Sequence, residues 1–219
     1  MNNHQEPAPA GVASIVDALE ELGIDGVLPG CAATLGPQRF YGPAATLTVA
    51  AAAGEPVAPT RALWALVDEA VEKSVLVMAT GGSFTVLGGV SATVAAARGL
   101  SGVVTDGAVR DVEEISACGL PVRYGTTSPR SCRGEYQVIA VGKPVAFGAA
   151  TVRPGDLVVA DRDGVVAVPA DVAQVVLARA REIERIETIW TELAGARGSI
   201  SDGYAEVSRT VGSPHRELF

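Results

Sequence analysis

The stretch that most constrains this chain runs from Gly88 to Asp111 and reads GGVSATVAAARGLSGVVTDGAVRD. A glycine pair opens a short helical pattern and Gly99 closes it. The apolar run Gly102 to Thr105 then predicts a buried strand, and the polar loop Asp106 to Asp111 ends in an adjacent arginine and aspartate. A helix start presents backbone N–H groups that have no acceptor within the helix, and an arginine presents a planar fork of donors. The amides around Gly88 and Gly89 can therefore hold an anion, with Arg110 and Asp111 arriving beside it from the far end of the strand. The remaining segments read as scaffold for this one.

Composition narrows the classes. At 219 residues with 48% hydrophobic content, the chain can bury one sizeable core, as one domain or one domain with an arm. A formal charge of -8 supplies no basic stripe for a phosphate backbone, so DNA is not an expected partner. The opening MNNHQEPAPA has no cationic-apolar signal pattern, and no apolar run reaches membrane-spanning length, so a soluble cytoplasmic protein with no membrane partner is expected. Cys31, Cys118 and Cys132 are odd in number and form no CxxC, which predicts buried or incidental thiols. The only histidines, His4 and His215, lie in terminal segments, which argues against Ser/His/Asp, Cys/His and histidine–zinc chemistry. A metal here would take oxygen ligands, pointing to magnesium, manganese or calcium.

Taken in order, residues 12 to 22 predict a first helix ended by Gly23, Ala45 to Ala53 a buried strand, and Thr60 to about Glu72 a helix with Thr60 as cap. Leu63, Leu66, Val67, Ala70 and Val71 share the inner side of that helix. Ser74 to Ala79 predicts a strand, Asp111 starts a helix ended by Gly119, and Leu120 to Tyr124 returns as a strand, the alternation of a parallel sheet with crossovers. From Val138 the apolar stretches are separated by GKP, RPGD and DRDG, the punctuation of hairpins. The expected fold is α/β, a parallel βα section with a mostly antiparallel β layer packed on it. A long helix starts at Pro169 and runs to about Leu193, with Val172, Val175, Val176, Ile183 and Ile186 opposite a charged face. The last segment has no decisive pattern; an arm reaching a neighbouring subunit and disorder stay equally open.

Two of the chemically interesting residues have bland alternatives. Asp111, in D-V-E-E, is either an N-cap with Glu114 at the capping-box position or a metal ligand. Arg110 is either a solvated surface residue or a bidentate contact to a substrate carboxylate or enolate oxygen. No Walker or dinucleotide-binding glycine pattern is present. Asp161 to Gly164 reads as a hairpin turn rather than a calcium loop, and Arg133, Gly134 and Glu135 as an exposed loop.

The combination VDALEELGI, FYGPAATLTV, the spacing from Gly88 to VVTDGAVRD, GLPV, TTSPR and VRPGDLVVADRDGVVAVP resembles the class II 4-hydroxy-4-methyl-2-oxoglutarate aldolases and the RraA regulators that share their fold, over roughly residues 12 to 190. The resemblance implies a swivelling α/β/β sandwich assembled as a homotrimer or homohexamer with sites between subunits. The expected division is a single RraA-like catalytic domain over 12–195, which the resemblance implies, with a flexible N-terminus over 1–11 and a C-terminal arm over 196–219 read from the residues themselves. Carried over residue by residue, it makes Arg110 the contact to a pyruvyl group, Asp111 the carboxylate holding Mg2+ or Mn2+ partly through water, and Gly88, Gly89, Val90 and Ser91 the backbone donors to the substrate carboxylate. The implied reaction is retro-aldol cleavage of a pyruvate-derived 2-oxo acid, or oxaloacetate decarboxylation, through a metal-stabilised enolate. One departure is visible: family members usually carry an acidic or amide residue after the first loop glycine, where this chain has Gly89. The family residue that reaches in from an adjacent subunit has no assigned counterpart here, and the C-terminal segment offers Asp202 and Glu206. The rival readings are a non-catalytic regulator that binds a ribonuclease or another protein, and a diverged enzyme of a biosynthetic pathway.

Overall fold

Every residue from Val75 to Ala79 is buried, which requires a strand covered on both faces, inside a sheet rather than at its edge. The computed structural model describes residues 9–52, 59–82, 84–131 and 134–213. His4, His215, Cys132, Arg133, the Thr60 side chain expected as a cap and most of the expected N-terminal tail lie outside what is described.

In chain order the elements begin with α1 (Val12–Glu20), β1 (Ala33–Leu35), β2 (Phe40–Ala51), α2 (Pro59–Glu69), β3 (Val75–Ala79) and β4 (Thr85–Leu87). They continue with α3 (Gly89–Ala97), β5 (Gly102–Thr105), β6 (Ala108–Val109), α4 (Val112–Cys118), β7 (Val122–Tyr124) and β8 (Thr126–Thr127). The chain then forms β9 (Tyr136–Val141), β10 (Val145–Phe147), β11 (Ala150–Val152), β12 (Leu157–Ala160), β13 (Val165–Val168), α5 (Ala173–Arg197) and α6 (Ile200–Thr210). The elements divide into two units, one from Gly26 to Ala170 and the other holding the described residues up to Asp25 and from Asp171 onward. The stretch 12–195, expected as one domain, is spread over both.

In the larger unit the main sheet has the order β1-β7-β5-β3-β2-β12-β13. Strands β7, β5, β3 and β2 are parallel, while β1, β12 and β13 run antiparallel to their neighbours. The long strand β2 is shared: Phe40 to Pro43 pair with β12, and Leu47 to Ala51 with β9 across a register shift at Thr48/Val49. Side-chain alternation sorts the core into two layers. Leu76, Met78, Val103 and Val122 pack with Leu63, Leu66, Ala92 and Ile115 from the helices. Val75, Val77 and Val104 pack with Val145, Phe147 and Val152 of the β10–β11 hairpin and with Val158 and Val165. This is the mixed α/β architecture expected, with helices on one face of the sheet and a strand layer on the other.

Strands β1, β4, β6, β8 and β11 were not foreseen; each has two or three residues, too few to show a period. The helix ends follow the glycines: Gly23, Gly99 and Gly119 all take positive φ, the left-handed geometry that stops a helix.

In the smaller unit α1 packs on α5 and α5 on α6. Arg179 of α5 grips Glu21 with its fork, Nε donating at 2.9 and 3.1 Å and Nη2 at 2.6 Å. The buried stripe of α5 is Val176, Ala180, Ile183 and Ile186. Val175, expected on that stripe, is exposed because it sits one residue, about 100°, off its centre. Val71 is exposed for a different reason, since α2 ends at Glu69. The last segment is helical: Gly198 ends α5 in the left-handed region, and Ser199 caps α6 by accepting from the Asp202 N–H.

Candidate active site

The site is built on the small parallel sheet β4-β6-β8. The Arg110 N–H donates to the Leu87 carbonyl at 3.0 Å, and the Ser128 N–H to the Val109 carbonyl at 3.0 Å. Because the strands are parallel, α3 leaves the end of β4 beside the point where Arg110 and Asp111 leave the end of β6. The four residues Gly88, Gly89, Arg110 and Asp111 are thereby brought together.

Asp111 resolves part of the ambiguity left by its sequence context. It precedes α4 at the cap position but makes no side-chain hydrogen bond to that helix. Its Oδ2 instead accepts from the Gly89 N–H at 3.0 Å, so it caps the neighbouring helix α3. Its backbone has φ 59° and ψ 47°, in the left-handed region that costs most residues about 1–2 kcal/mol and asparagine or aspartate less. The Arg110 Nε lies 3.6 Å from the same Oδ2, and the two side chains are 35% and 39% exposed. With the Gly89 amide given to Asp111, the amides of Val90 and Ser91 are the remaining first-turn donors of α3.

Close approach constrains both glycines, and Gly89 more strongly, because its neighbour is a Cβ fixed to the backbone whereas those of Gly88 are side-chain tips. A Cβ on Gly88 would lie 2.8 Å from Asp111 Oδ2 and 3.4 Å from Arg110 Nε. A Cβ on Gly89 would lie 2.9 Å from the Glu114 Cβ and 3.3 Å from the Asp111 Cβ. The missing side chain at 89 thus has a structural counterpart: the Glu114 stem, one turn into α4, fills the space.

Among the described residues no three His, Cys, Asp or Glu side chains gather as a metal cage. Among the described residues the carboxylates at the start of α3 are Asp111 and, through its stem, Glu114, oxygen donors that suit a hard ion keeping most of its waters rather than a structural zinc site. The other candidates are engaged elsewhere. Glu135 pairs with Arg130 at 2.6 Å, and Glu206 pairs with Arg197 and, at 3.5 Å, with Arg209. Asp161 to Gly164 forms the β12–β13 turn, with the Asp163 N–H donating to Asp161 Oδ1 at 3.0 Å.

Cys31 is buried, and its thiol donates to the Thr105 carbonyl at 3.3 Å. Burial first, then the Asp106 charge, push it from its ordinary 9.0 up to about 12. Alkylation at about pH 8 followed by peptide mapping will therefore spare Cys31 in the native protein and modify it in denaturant. The unfolded thiol ionises first as pH rises, so this group's contribution to stability is complete below 9.0 and is lost towards about 12.

A family model described as Aldolase/RraA matches residues 12–167. The chain belongs to the Aldolase/RraA family. A provisionally named 4-hydroxy-4-methyl-2-oxoglutarate aldolase of Halalkalibacterium halodurans is 33% identical over 147 residues, 66% of each chain. An uncharacterised protein of Pseudomonas syringae pv. tomato matches in structure with a TM-score of 0.79 and 32% identity, over 90% of both chains. Streptomyces coelicolor RraAS2, described as an unusual member of the RNase ES inhibitor RraA protein family, matches with a TM-score of 0.69 and 32% identity, over 80% of this chain and 88% of that one. The chain spans less than two thirds of the length of the curated relatives it matches first. The family thus joins proteins named as aldolases and proteins described as ribonuclease inhibitors.

Two residues of this Aldolase/RraA chain escaped sequence reasoning. Glu114 was seen only as a capping-box partner; its contact with Gly89 depends on how α3 and α4 meet. Arg123 stood unnoticed in the short strand VRY, where nothing in the pattern marks a buried cation.

Proposed function

We propose that this protein is a divalent-metal-dependent carbon–carbon lyase acting on a pyruvate-derived 2-oxo acid, by retro-aldol cleavage or by decarboxylation. The observation that carries this reading is the placing of Asp111, in the left-handed region, with its carboxylate on the first amide of α3 and beside the Arg110 guanidinium. A cap of its own helix would need neither feature.

In this reading the Val90 and Ser91 amides and the start of α3 bind the substrate carboxylate. Arg110 stands where negative charge grows on the 2-oxo oxygen as the C–C bond breaks, and its fixed guanidinium stabilises the pyruvate enolate. Asp111 would hold Mg2+ or Mn2+ through a carboxylate whose Oδ1 takes part in neither the Gly89 nor the Arg110 contact. When bound, the ion supplies Lewis-acid polarisation of the 2-oxo group. Both reactions leave the same three-carbon fragment, and Arg110 serves either. The reading includes a cytoplasmic homotrimer or homohexamer. The oligomeric part of that reading draws on the apolar pair Val90 and Val94, one turn apart on α3 and 77% and 39% exposed.

The test is pyruvate release from oxaloacetate and from 4-hydroxy-4-methyl-2-oxoglutarate, with magnesium or manganese and then with excess chelator, corrected for decarboxylation by metal alone. Chelator-sensitive release well above the blank is expected; none from either compound sinks the lyase. A second reading, a protein that binds and inhibits a ribonuclease, is favoured by the likeness to RraAS2. Capture of an RNase E-type enzyme by protein lacking lyase activity would establish it.

A further inference from the structure

Arg123 lies on β7 between Val122 and Tyr124, which both belong to the layer shared with the helices. Alternation turns Arg123 to the opposite face, the side of its register partner Val104 and of Cys31. Its side chain is closed off there, with the residue only 3% exposed. Nη1 makes one long hydrogen bond, 3.5 Å to the Ala32 carbonyl. Nε and Nη2 are buried and have no hydrogen-bond partner in the protein. Directly across the β1–β7 pair stands Thr34, whose Oγ1 is also buried and unpartnered. Opposed residues of an antiparallel pair share a face with their Cβ atoms about 5 Å apart. Three of the four unpartnered buried side-chain atoms among the described residues thus fall at one spot, and the fourth, Ser208 Oγ, is on α6.

Among the described residues no carboxylate lies within ion-pair distance of Arg123. The nearby Cys31 thiol stays protonated, and Asp106 spends Oδ1 on the Thr80 N–H and hydroxyl at 2.7 and 2.8 Å. A buried cation left in this state is strongly unfavourable unless something pairs with it. The unused nitrogens define what fits: Nε–H and one Nη2–H point in parallel, the edge of a guanidinium that takes an oxyanion with two bonds. Thr34 is only partly buried as a residue and belongs to an edge strand, although its Oγ1 is itself buried.

We propose that Arg123 and Thr34 form a binding site for a small oxyanion, of carboxylate or phosphate type, on the sheet face opposite α3 and α4. The anion accepts from Nε and Nη2 of Arg123 and from the Thr34 hydroxyl. This site is separate from Arg110 and Asp111 and does not depend on the lyase reading.

The test is thermal unfolding of the full chain against inorganic phosphate and, separately, formate, with chloride adjusted to hold ionic strength. The parent is expected to gain about 5 °C, saturably, and the stronger of the two anions reports whether the site prefers a tetrahedral or a planar oxyanion. Arg123→Met should show no gain and should melt no lower than the parent in anion-free buffer, because a buried charge has been replaced by a side chain of similar length. Thr34→Val should raise the half-saturating concentration by about tenfold, and Arg110→Ala should keep the full gain. Should Arg123→Met fail to fold, Arg123→Lys, which keeps the charge and loses the fork, should lose most of the gain, and the Arg123 Nε–H resonance of the parent should shift on phosphate titration. An equal gain in Arg123→Met and parent, no gain in the parent with either anion, or loss of the gain in Arg110→Ala alone would each overturn the proposal.

Discussion

Arg110→Ala will release pyruvate from oxaloacetate at least about 100-fold more slowly than the parent at saturating magnesium, because a preorganised donor aimed at developing negative charge contributes about that much or more. The loss should fall mainly on kcat, since the charge that Arg110 meets is greater in the transition state than in the bound substrate. Arg110→Lys should recover little, as a lysine cannot present two parallel donors from the same backbone position. Stability should move by no more than about 0.5 kcal/mol, because the side chain is partly exposed and its 3.6 Å ion pair is weak. Asp111→Ala should be equally slow but for a distinguishable reason. It should weaken Mn2+ binding measured directly, in the absence of substrate, whereas Arg110→Ala should leave that binding nearly intact. Parental turnover in both variants would remove the basis of the lyase reading.

Gly89→Asp, the change that brings back a side chain usual in the family, is expected to destabilise this chain by about 1–3 kcal/mol. The new Cβ would fall 2.9 Å from the Glu114 Cβ. That atom is fixed to the backbone of α4 and cannot swing away as the tip of a flexible side chain could, so α3 and α4 must separate or the loop must shift. Glu114→Gly removes the obstructing atom at a cost of its own of about 1 kcal/mol, and the double variant should be more stable than the sum of the singles predicts. Denaturant unfolding of the four proteins measures that coupling. Additive behaviour would mean that residues 89 and 114 do not meet as described.

These variants also show where sequence reading stops. The helices α1, α3 and α4 were legible because each is followed by a glycine that takes the left-handed conformation other residues disfavour, and the strands β3 and β5 because they are almost uniformly apolar. Gly88, Gly89, Arg110 and Asp111 were legible as a group from their spacing. The device that joins them was not, because β4, β6 and β8 contain three, two and two residues and pair only with one another. Likewise, whether Asp111 caps α4 or α3 depends on a contact 22 residues away in sequence. The α6 helix had a local signal, Gly198 followed by Ser199 with Asp202 three residues on, and its apolar pattern was too sparse to draw attention to it. Arg123 is a different case: a three-residue strand cannot reveal from its own letters which of its faces lies inside the protein.

The sharing of β2 has a consequence for how the chain is made. Its neighbours β3, β9 and β12 come from early, middle and late parts of the sequence. During synthesis the parallel pair β2–β3 can close soon after residue 79 leaves the ribosome, while the opposite edge of β2 waits until β9 and then β12 have been added. A long apolar edge held open in this way is prone to pair with other chains. Slower translation between residues 80 and 157 should thus increase aggregation of nascent protein, even though the finished sheet is covered along the whole of that edge.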